Sequence, residues 1–309
     1  MRYVFLGSPP FAVPVLERLL GSGHDCLALV TRPDKPRGRG RGVQASPLVE
    51  LARARGLEVL QPTTTKDPAF VDGLRALDPE VLLVASYGEI LRQEVLDLAP
   101  HGALNVHGSL LPRWRGAAPI QKAILEGDSE TGVSIQRMVL ALDEGDVLLE
   151  RRTEIGAQET AGDLFERLAV LGGEASVAAL DVLDAGTATF TPQDPGEVTY
   201  APKFTKEDGR LDWARSAVEL DRHVRGVTPW PGARASAPDG SDLVVLEARP
   251  SEASGSGAPG TLLETRKRCL VATGDGVLEL LQVKPAGKKA MAATAWLNGA
   301  RLEVGAQLA

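Results

Sequence analysis

An Asn-Val-His sequence at residues 105–107 ends an apolar run and is followed by GSLLPRWRG. Residues two apart on a strand face the same side, so the Asn105 amide and the His107 imidazole would point together. An amide donor can stabilise a developing oxyanion, and an imidazole can move a proton. The pair therefore indicates acid–base or acyl-transfer chemistry. For an isolated Asn-x-His, a buried polar pair satisfied by backbone groups is the alternative.

The acidic segment LDEGD, residues 142–146, offers a carboxylate that could complete this pair. A carboxylate beside an imidazole favours its protonated form and orients the ring. Asp143 and Asp146 are the two candidates. Acidic turns that contain glycine also occur without any catalytic role, so the alternative is ordinary turn chemistry. Only a fold that brings Asp143 to His107 would make these residues one site.

Several other chemistries lack their motifs. Cys26 and Cys269 have no metal-ligand spacing, and no serine lies in a nucleophile elbow. The segment GSPPFA after the first predicted strand is not a G-x-G-x-x-G dinucleotide motif. The GRGRG segment at residues 38–42 lacks the lysine and Ser/Thr of a phosphate-binding P-loop. The sequence therefore predicts neither covalent catalysis nor a metal site.

Alternating strands and helices must position these residues. Near-continuous apolar strands separated by amphipathic helices indicate a mostly parallel sheet covered on both faces. Site residues in such sheets gather beyond the carboxyl ends of the strands. The predicted strands are RYVFLG, CLALVT, LEVLQP, EVLLVASYG, ALNVHG, GVSIQRMV and DVLLERRTEI, and the longest predicted helix runs from residue 161 to residue 183. Asn105 and His107 end the fifth strand, which is where a site is expected.

The chain is expected to have two domains. Residues 1–189 form the α/β domain, and residues 190–205, which hold three prolines, are predicted to be an extended linker. Residues 206–309 contain one helix and short alternating runs such as DLVVLEARP and TAWLNGARL, interrupted by glycine and proline. This pattern predicts a small β-rich domain of barrel type.

Charge is unevenly distributed along the 309 residues. The net charge is −7, from 34 basic and 41 acidic side chains. Residues 31–44 nevertheless carry Arg32, Lys35, Arg37, Arg39 and Arg41 against a single acid. This basic loop would attract an anionic partner at one place, and a solvated charged loop is the equal alternative. We find no signal peptide or membrane span, which predicts a cytoplasmic protein.

The segment NVHGSLLPRWRGAAPIQ resembles the signature of the 10-formyltetrahydrofolate-dependent formyltransferases. More narrowly, the chain is similar to the methionyl-tRNA formyltransferase family over nearly its whole length. The matching segments, in the family's order, are FLGSPPFAVPVLERLL, TRPDKPRGRGRG, ASYGEIL, LDEGDVLL, KFTKEDGRLDW, TPWPGA and KPAGKKAMAATAWLNG. Position 10 is proline where an acid is common, and position 108 is glycine where another small residue is usual.

This resemblance implies a Rossmann-type formyltransferase domain joined to a C-terminal β-barrel of oligonucleotide-binding (OB-like) type. The implied reaction transfers a formyl group from 10-formyltetrahydrofolate, a co-substrate, to the α-amine of methionyl initiator tRNA. No tightly bound cofactor and no metal are expected, and the protein is expected to be a monomer. The implied site residues are Asn105, His107 and Asp143 for catalysis, Ile90, Leu91, Ser109, Leu110, Leu111 and Pro112 for folate, and Arg37, Arg39, Arg41 and Lys206 for tRNA.

Two rival functions remain open at this stage. A formyltransferase acting on glycinamide ribonucleotide or on a nucleotide-linked amino sugar would use the same trio. The basic loop and the β-rich C-terminal domain favour tRNA over these amines. A catalytically silent RNA-binding module is the other rival, against which an intact trio argues.

Overall fold

The computed structural model describes residues 1–34, 36–37 and 42–309, with backbone alone at 36–37 and 42–43. The chain divides into two compact units. The first unit contains Met1–Pro119, Glu130–Glu154 and Phe165–Ala201. The second unit contains Ile120–Ser129, Ile155–Leu164 and Pro202–Ala309. The domain boundaries predicted from the sequence stay a prediction.

A seven-stranded sheet forms the centre of the first unit, in the order β10-β9-β7-β6-β1-β2-β5. Strands β5, β2, β1, β6 and β7 are parallel, whereas β9 runs antiparallel to β7 and β10 antiparallel to β9. The strands up to residue 201 are β1 (Arg2–Gly7), β2 (Asp25–Val30), β3 (Pro36–Arg37), β4 (Gly42–Val43), β5 (Glu58–Leu60), β6 (Val81–Ala85), β7 (Ala103–His107), β8 (Arg115–Gly116), β9 (Glu130–Arg137), β10 (Val147–Glu154) and β11 (Tyr200–Ala201).

Helices alternate with these strands, as the sequence predicts. They are α1 (Ala12–Leu20), α2 (Pro47–Ala54), α3 (Pro68–Ala76), α4 (Gln93–Leu96), α5 (Pro119–Glu126) and α6 (Ala161–Asp184), followed by a 3-10 helix at Pro195–Glu197. Ser46 caps α2 by accepting from the Val49 backbone N–H, and Pro47 takes the first helical position, as expected. The predicted α/β class with a mostly parallel sheet is confirmed.

Burial explains why the central parallel strands of this sheet are apolar along nearly their whole length. All five residues of β6 are buried, and β1 is buried from Tyr3 to Gly7. Strands that are apolar on both faces require cover on both faces. Strand β7 is also buried, except at Asn105, which is half-buried, and it ends at the buried His107. The sheet core therefore fixes the strand whose carboxyl end holds the two candidate residues.

The second unit contains a six-stranded antiparallel sheet, helices α7 and α8, and residues 120–126 of helix α5. The main strand order is β12-β13-β16-β15-β14, and β17 pairs with β16. The elements are a 3-10 helix at Glu207–Gly209, α7 (Ala217–Gly226), β12 (Ala233–Ser236), β13 (Asp242–Ser251), β14 (Leu262–Glu264), β15 (Cys269–Ala272), β16 (Val277–Pro285), β17 (Met291–Ala292) and α8 (Ala293–Ala300). The β-rich, barrel-type C-terminal domain is confirmed.

The sequence prediction was wrong at one element of this unit. The run TAWLNGARL was read as one of the short alternating strands, but the structure has helix α8 there. Ala293, Trp296 and Leu297 are buried in the core of the unit. Their spacing of three and four residues is the pattern of one helix face, which outweighs the apparent alternation. In the part of the chain that the structure describes, no helix is long and apolar enough to cross a membrane.

Candidate active site at the carboxyl end of strand β7

His107 ends β7 and is held on both sides of its ring. Its Nε2 lies 2.8 Å from the Trp114 carbonyl oxygen, which can only accept a hydrogen bond. Nε2 must therefore carry a proton. The other ring nitrogen, Nδ1, faces the Asp143 carboxylate, with Nδ1 and Oδ1 3.7 Å apart. The predicted approach of Asp143 to His107 is confirmed.

Asp143 is fixed by hydrogen bonds to both of its carboxylate oxygens. Oδ2 accepts from the Gly116 backbone N–H at 2.8 Å, and Oδ1 accepts from the Gln136 side-chain amide at 2.9 Å. The Asp143 backbone has φ +53°, in the left-handed region that aspartate tolerates better than most residues. The carboxylate is therefore held next to His107 by two other segments of the chain, β8 and β9.

The loop between β7 and β8 is held by hydrogen bonds within the loop and by hydrogen bonds to Ser134 of β9. The Ser109 hydroxyl accepts from the Trp114 N–H at 3.1 Å and donates to the Trp114 carbonyl at 3.3 Å. The Ser134 hydroxyl donates to the Ser109 carbonyl at 2.8 Å and accepts from the Leu111 N–H at 3.0 Å. These bonds fix the carbonyl that holds His107. They also use the hydroxyl of Ser109, one of the predicted folate-binding residues.

Asn105 lies on β7 two residues before His107, and its partner across the β7–β9 ladder is Gln136. Side chains of strand residues two apart share a face, so Asn105 and His107 point to the same side of the sheet. The register also pairs His107 with Ser134. The amide and the imidazole thus lie at the end of β7, and the Asp143 carboxylate from a separate turn lies beside the imidazole, while their catalytic roles stay a prediction.

The loop after β6 contributes a second polar cluster. Glu89 accepts hydrogen bonds from the backbone and hydroxyl of Thr65 and from the hydroxyl of Thr64. Burial alone would raise the pKa of Glu89, but these hydrogen bonds lower it below the usual value. Burial raises the pKa of the neighbouring Tyr87 to about 12. The segment that precedes two predicted folate contacts, Ile90 and Leu91, is therefore tied to the chain by hydrogen bonds through Glu89.

The predicted folate contacts all lie in the first unit. Ile90 is 82% exposed, whereas Leu91 is buried. Ser109, Leu111 and Pro112 are buried and Leu110 is half-buried. Their assignment to folate stays a prediction.

The predicted tRNA contacts lie elsewhere in the chain. Lys206, in the second unit, is exposed and lines a cleft of about 260 Å³ together with Arg210 and Arg234. The structure describes only the backbone of Arg37, within β3. Arg39 and Arg41 lie outside the described residues. The assignment of these four residues to tRNA stays a prediction.

Sequence reasoning missed three side chains that surround the trio. These are Gln136, Gln193 and Arg115, which contact residues 142–146, called here the Asp143 turn. Gln136 and Gln193 do so through hydrogen bonds, and Arg115 through an ion pair with Glu144. One signal was available, because β9 alternates apolar residues with the polar Ser134 and Gln136, and all of these are buried. Polar residues on a buried strand face need partners. Nothing in the linker-like composition around Gln193 indicated its position.

Among the described residues, no group of three or more His, Cys, Asp or Glu side chains could hold a metal ion.

Comparison with known proteins assigns both parts of the chain to the same family. Residues 1–180 match the family described as formyl transferase, and residues 203–301 match the formyl transferase C-terminal domain.

Two relatives and one solved structure illustrate this match. A methionyl-tRNA formyltransferase of Solibacter usitatus is 47% identical over 98% of this chain and 96% of its own length. One of Methylobacterium sp. is 48% identical over 100% of this chain and 99% of its own. An N-formyltransferase of Helicobacter canadensis, solved with folinic acid and dTDP-3-aminofucose, has a TM-score of 0.69 at 15% identity, over 90% of this chain and 98% of its own.

Proposed function

The chain belongs to the methionyl-tRNA formyltransferase family, and we propose that Asn105, His107 and Asp143 carry out its reaction. That reaction transfers a formyl group from 10-formyltetrahydrofolate to the α-amine of methionyl initiator tRNA, for translation initiation. The folate is a co-substrate that is consumed in each turnover. The observation that carries the assignment of residues is the approach of the Asp143 carboxylate to the His107 ring at the end of β7.

The chemical step requires stabilisation of an oxyanion and movement of one proton. The α-amine attacks the formyl carbon, a new C–N bond forms, and the carbonyl oxygen becomes negatively charged. The bond from that carbon to the folate N10 then breaks, and the proton lost by the amine is delivered to N10. The Asn105 amide donates to the oxyanion, and one such donor contributes roughly 3–4 kcal/mol.

His107 and Asp143 provide the charge and the proton relay. Since the Trp114 carbonyl fixes a proton on Nε2, a second proton on Nδ1 makes the contact with Asp143 attractive. In that form His107 presents a positive charge toward the developing oxyanion. Asp143 accepts the amine proton through a water molecule and returns it toward the leaving nitrogen.

Substrate recognition is divided between the two units in this proposal. Ile90, Leu91 and the segment 109–112 contact the folate, and that segment begins two residues after His107. The basic loop that contains Arg41 and the second-unit Lys206 contact phosphates of the tRNA, since lysine and arginine neutralise phosphate charges. We further propose that the protein acts as a monomer, for which the three catalytic groups of one chain are sufficient, and that it acts in the cytoplasm, where translation initiation takes place.

A direct assay separates this function from its rivals. The purified chain is incubated with 10-formyltetrahydrofolate and one of three amines: methionyl initiator tRNA, glycinamide ribonucleotide or a nucleotide-linked amino sugar. We expect a formylated amino terminus on the methionyl-tRNA alone. Formylation of either small amine in preference to the tRNA would assign another formyltransferase activity. Binding of tRNA without formylation would leave the RNA-binding module as the better function.

A further inference from the structure

Residues 187–201, called here the return segment, run back along the catalytic end of the first unit. Thr191 pairs with Val147 through two backbone hydrogen bonds of 2.9 Å. The Thr199 carbonyl accepts from the Arg115 N–H at 2.8 Å, and β11 pairs in parallel with β8. The segment is thus anchored on both sides of Gln193, first beside β10 and then beside the loop that follows β7.

Gln193 connects this segment to the Asp143 turn. Its Nε2 donates to the carbonyl oxygens of Asp143 and Gly145, at 2.8 and 2.7 Å. It also lies 3.3 Å from the Gln136 side-chain oxygen. Its Oε1 accepts from Arg115 Nε at 3.0 Å, and the same guanidinium forms an ion pair with Glu144 at 3.2 Å. Both polar atoms of the Gln193 amide are therefore used within the site.

The donors and acceptors of this hydrogen-bond network can be assigned in only one way. The Asp143 carboxylate accepts only, so Gln136 must turn its NH2 group toward it and its oxygen toward Gln193. Gln193 must then present the two N–H groups of its NH2 to the carbonyls of Asp143 and Gly145, with the Gln136 oxygen as a third, longer contact. Its oxygen is left for Arg115, whose guanidinium donates only. Each group fixes the orientation of the next, from Arg115 to the carboxylate.

The turn depends on outside support. Asp143 is left-handed, a conformation that costs a non-glycine residue free energy and persists where the surroundings impose it. A Cβ at Gly145 would lie 1.7 Å from the Arg137 carbonyl oxygen, so the chain passes very close to β9. Within the described chain, Gln193 bonds the carbonyls on both sides of Glu144. It therefore holds the peptide units that orient Asp143.

We propose that Gln193 is a positioning residue, which sets the Asp143 carboxylate against His107 by holding the carbonyls of residues 143 and 145. This inference rests on the proposed function for its kinetic consequence. Gln193 does not touch the reacting atoms in this proposal. It acts through Asp143, and its loss should lower the rate of the chemical step more than substrate binding.

The sharpest test is Gln193→Glu, which keeps the size of the side chain and replaces its NH2 donor by an acceptor. Two carbonyl oxygens would then face a carboxylate, and the turn would move. We expect kcat for methionyl-tRNA formylation to fall about 100-fold, since a displacement of about 1 Å can have that effect. KM for both substrates should stay within about threefold of the wild-type value, because the recognition residues are untouched. The matched control is Gln158→Glu, the same chemical change at an exposed position.

Amide hydrogen exchange at Gly116 gives a readout that does not depend on activity, because this N–H donates to the Asp143 carboxylate. We expect faster exchange at Gly116 in Gln193→Glu and wild-type exchange in Gln158→Glu. A folded Gln193→Glu protein with kcat within threefold of wild type, or with unchanged Gly116 exchange, would overturn the proposal. If wild-type protein fails to formylate methionyl-tRNA, the proposed function fails, and Gly116 exchange still decides the positioning role.

A second variant, Gln193→Ala, tests the proposal if Gln193→Glu does not fold. Gln193→Ala removes the hydrogen bonds without placing a charge against the carbonyls. We expect about a tenfold loss in kcat, with faster Gly116 exchange and an unchanged KM. Wild-type kcat and wild-type exchange in this variant would equally overturn the positioning role.

Discussion

Each unit of the protein buries a histidine close in sequence or space to an aspartate, and only one of the two arrangements has the features of an active site. His107 is 5% exposed and His223 is 8% exposed, so burial does not distinguish them. Both ring nitrogens of His107 have polar neighbours, the Trp114 carbonyl and the Asp143 carboxylate. Among the described residues, neither ring nitrogen of His223 makes a hydrogen bond of standard geometry, and its nearest polar influence is Asp208.

The difference follows from how each aspartate reaches its histidine. Asp221 and His223 are two residues apart on α7, so they point to different faces of the helix. Asp221 instead pairs with Arg225 at 3.0 Å. Asp143 is brought to His107 from a separate turn, which other segments hold in place. His107 has polar neighbours at both ring nitrogens because separate segments of the chain, the loop before β8 and the turn that contains Asp143, meet at its ring.

Replacing each histidine by asparagine is the largest test of this comparison. We expect His107→Asn to lower kcat about 1,000-fold, because the positive charge beside the oxyanion is lost and Asp143, which relays the proton, loses its partner. His223→Asn should retain wild-type kcat, since His223 contacts neither Asn105 nor Asp143. Steady-state formylation of methionyl-tRNA measures both. An equal loss of turnover in the two variants would show that burial, rather than the Asp143 network, is what matters.

Asn105→Ala should have the next largest effect. Removal of a single oxyanion donor typically lowers kcat about 100-fold or more, while the affinity for tRNA should not change. The matched control is Asn298→Ala, at an exposed position of α8 in the second unit. Single-turnover formylation and a separate tRNA-binding titration distinguish the two quantities. Weaker tRNA binding together with unchanged turnover at saturation would remove Asn105 from the catalytic trio.

The sequence predicts most of the first unit because local and tertiary requirements agree there. Buried strands such as β6 are apolar throughout, and the cap at Ser46 follows a local rule. The same agreement places Asn105 and His107 at the end of a parallel strand. Helix α8 was not predicted because its short sequence is compatible with a strand or a helix. Packing of its apolar residues on the core of the second unit selects the helix.

The site itself is only half predictable from the sequence. Asn105 and His107 are two residues apart, so strand geometry alone brings them together. Asp143 needs the fold, and its support by Gln193 comes from 50 residues further along the chain. A glutamine between prolines in an apparent linker has no local property that indicates a partner. Long-range hydrogen bonds of this kind become visible only in three dimensions.

Arg41→Ala tests whether tRNA binding is separate from the chemistry at His107. The substitution should weaken the binding of methionyl-tRNA without changing the His107 site. We expect KM for methionyl-tRNA to rise about tenfold at low salt, as one charge-assisted phosphate contact is lost. The slope of log affinity against log salt should decrease by about 1. The matched control is Arg53→Ala, an exposed arginine on α2. An equal loss of activity with a small amine substrate would refute the division between recognition and chemistry.

The smallest expected effect concerns His223, and it appears in stability rather than in turnover. Burial lowers the pKa of His223 below its usual value of about 6.5. The unfolded chain therefore takes up a proton at a pH where the folded chain still does not. The stability from burying the neutral ring is complete above about pH 6.5 and is lost as the pH falls below it, by at most ~1.4 kcal/mol per pH unit.

Chemical unfolding of wild type and His223→Asn between about pH 7.5 and pH 5.5 measures this contribution. We expect the free energy of unfolding of wild type to decrease more steeply toward pH 5.5 than that of the variant. Burial also raises the pKa of Asp221, but both proteins keep this group, so it cancels in the difference. Parallel curves would mean that His223 is protonated equally in both states. Its burial would then no longer distinguish it from a solvated histidine, and the contrast with His107 would rest on catalysis alone.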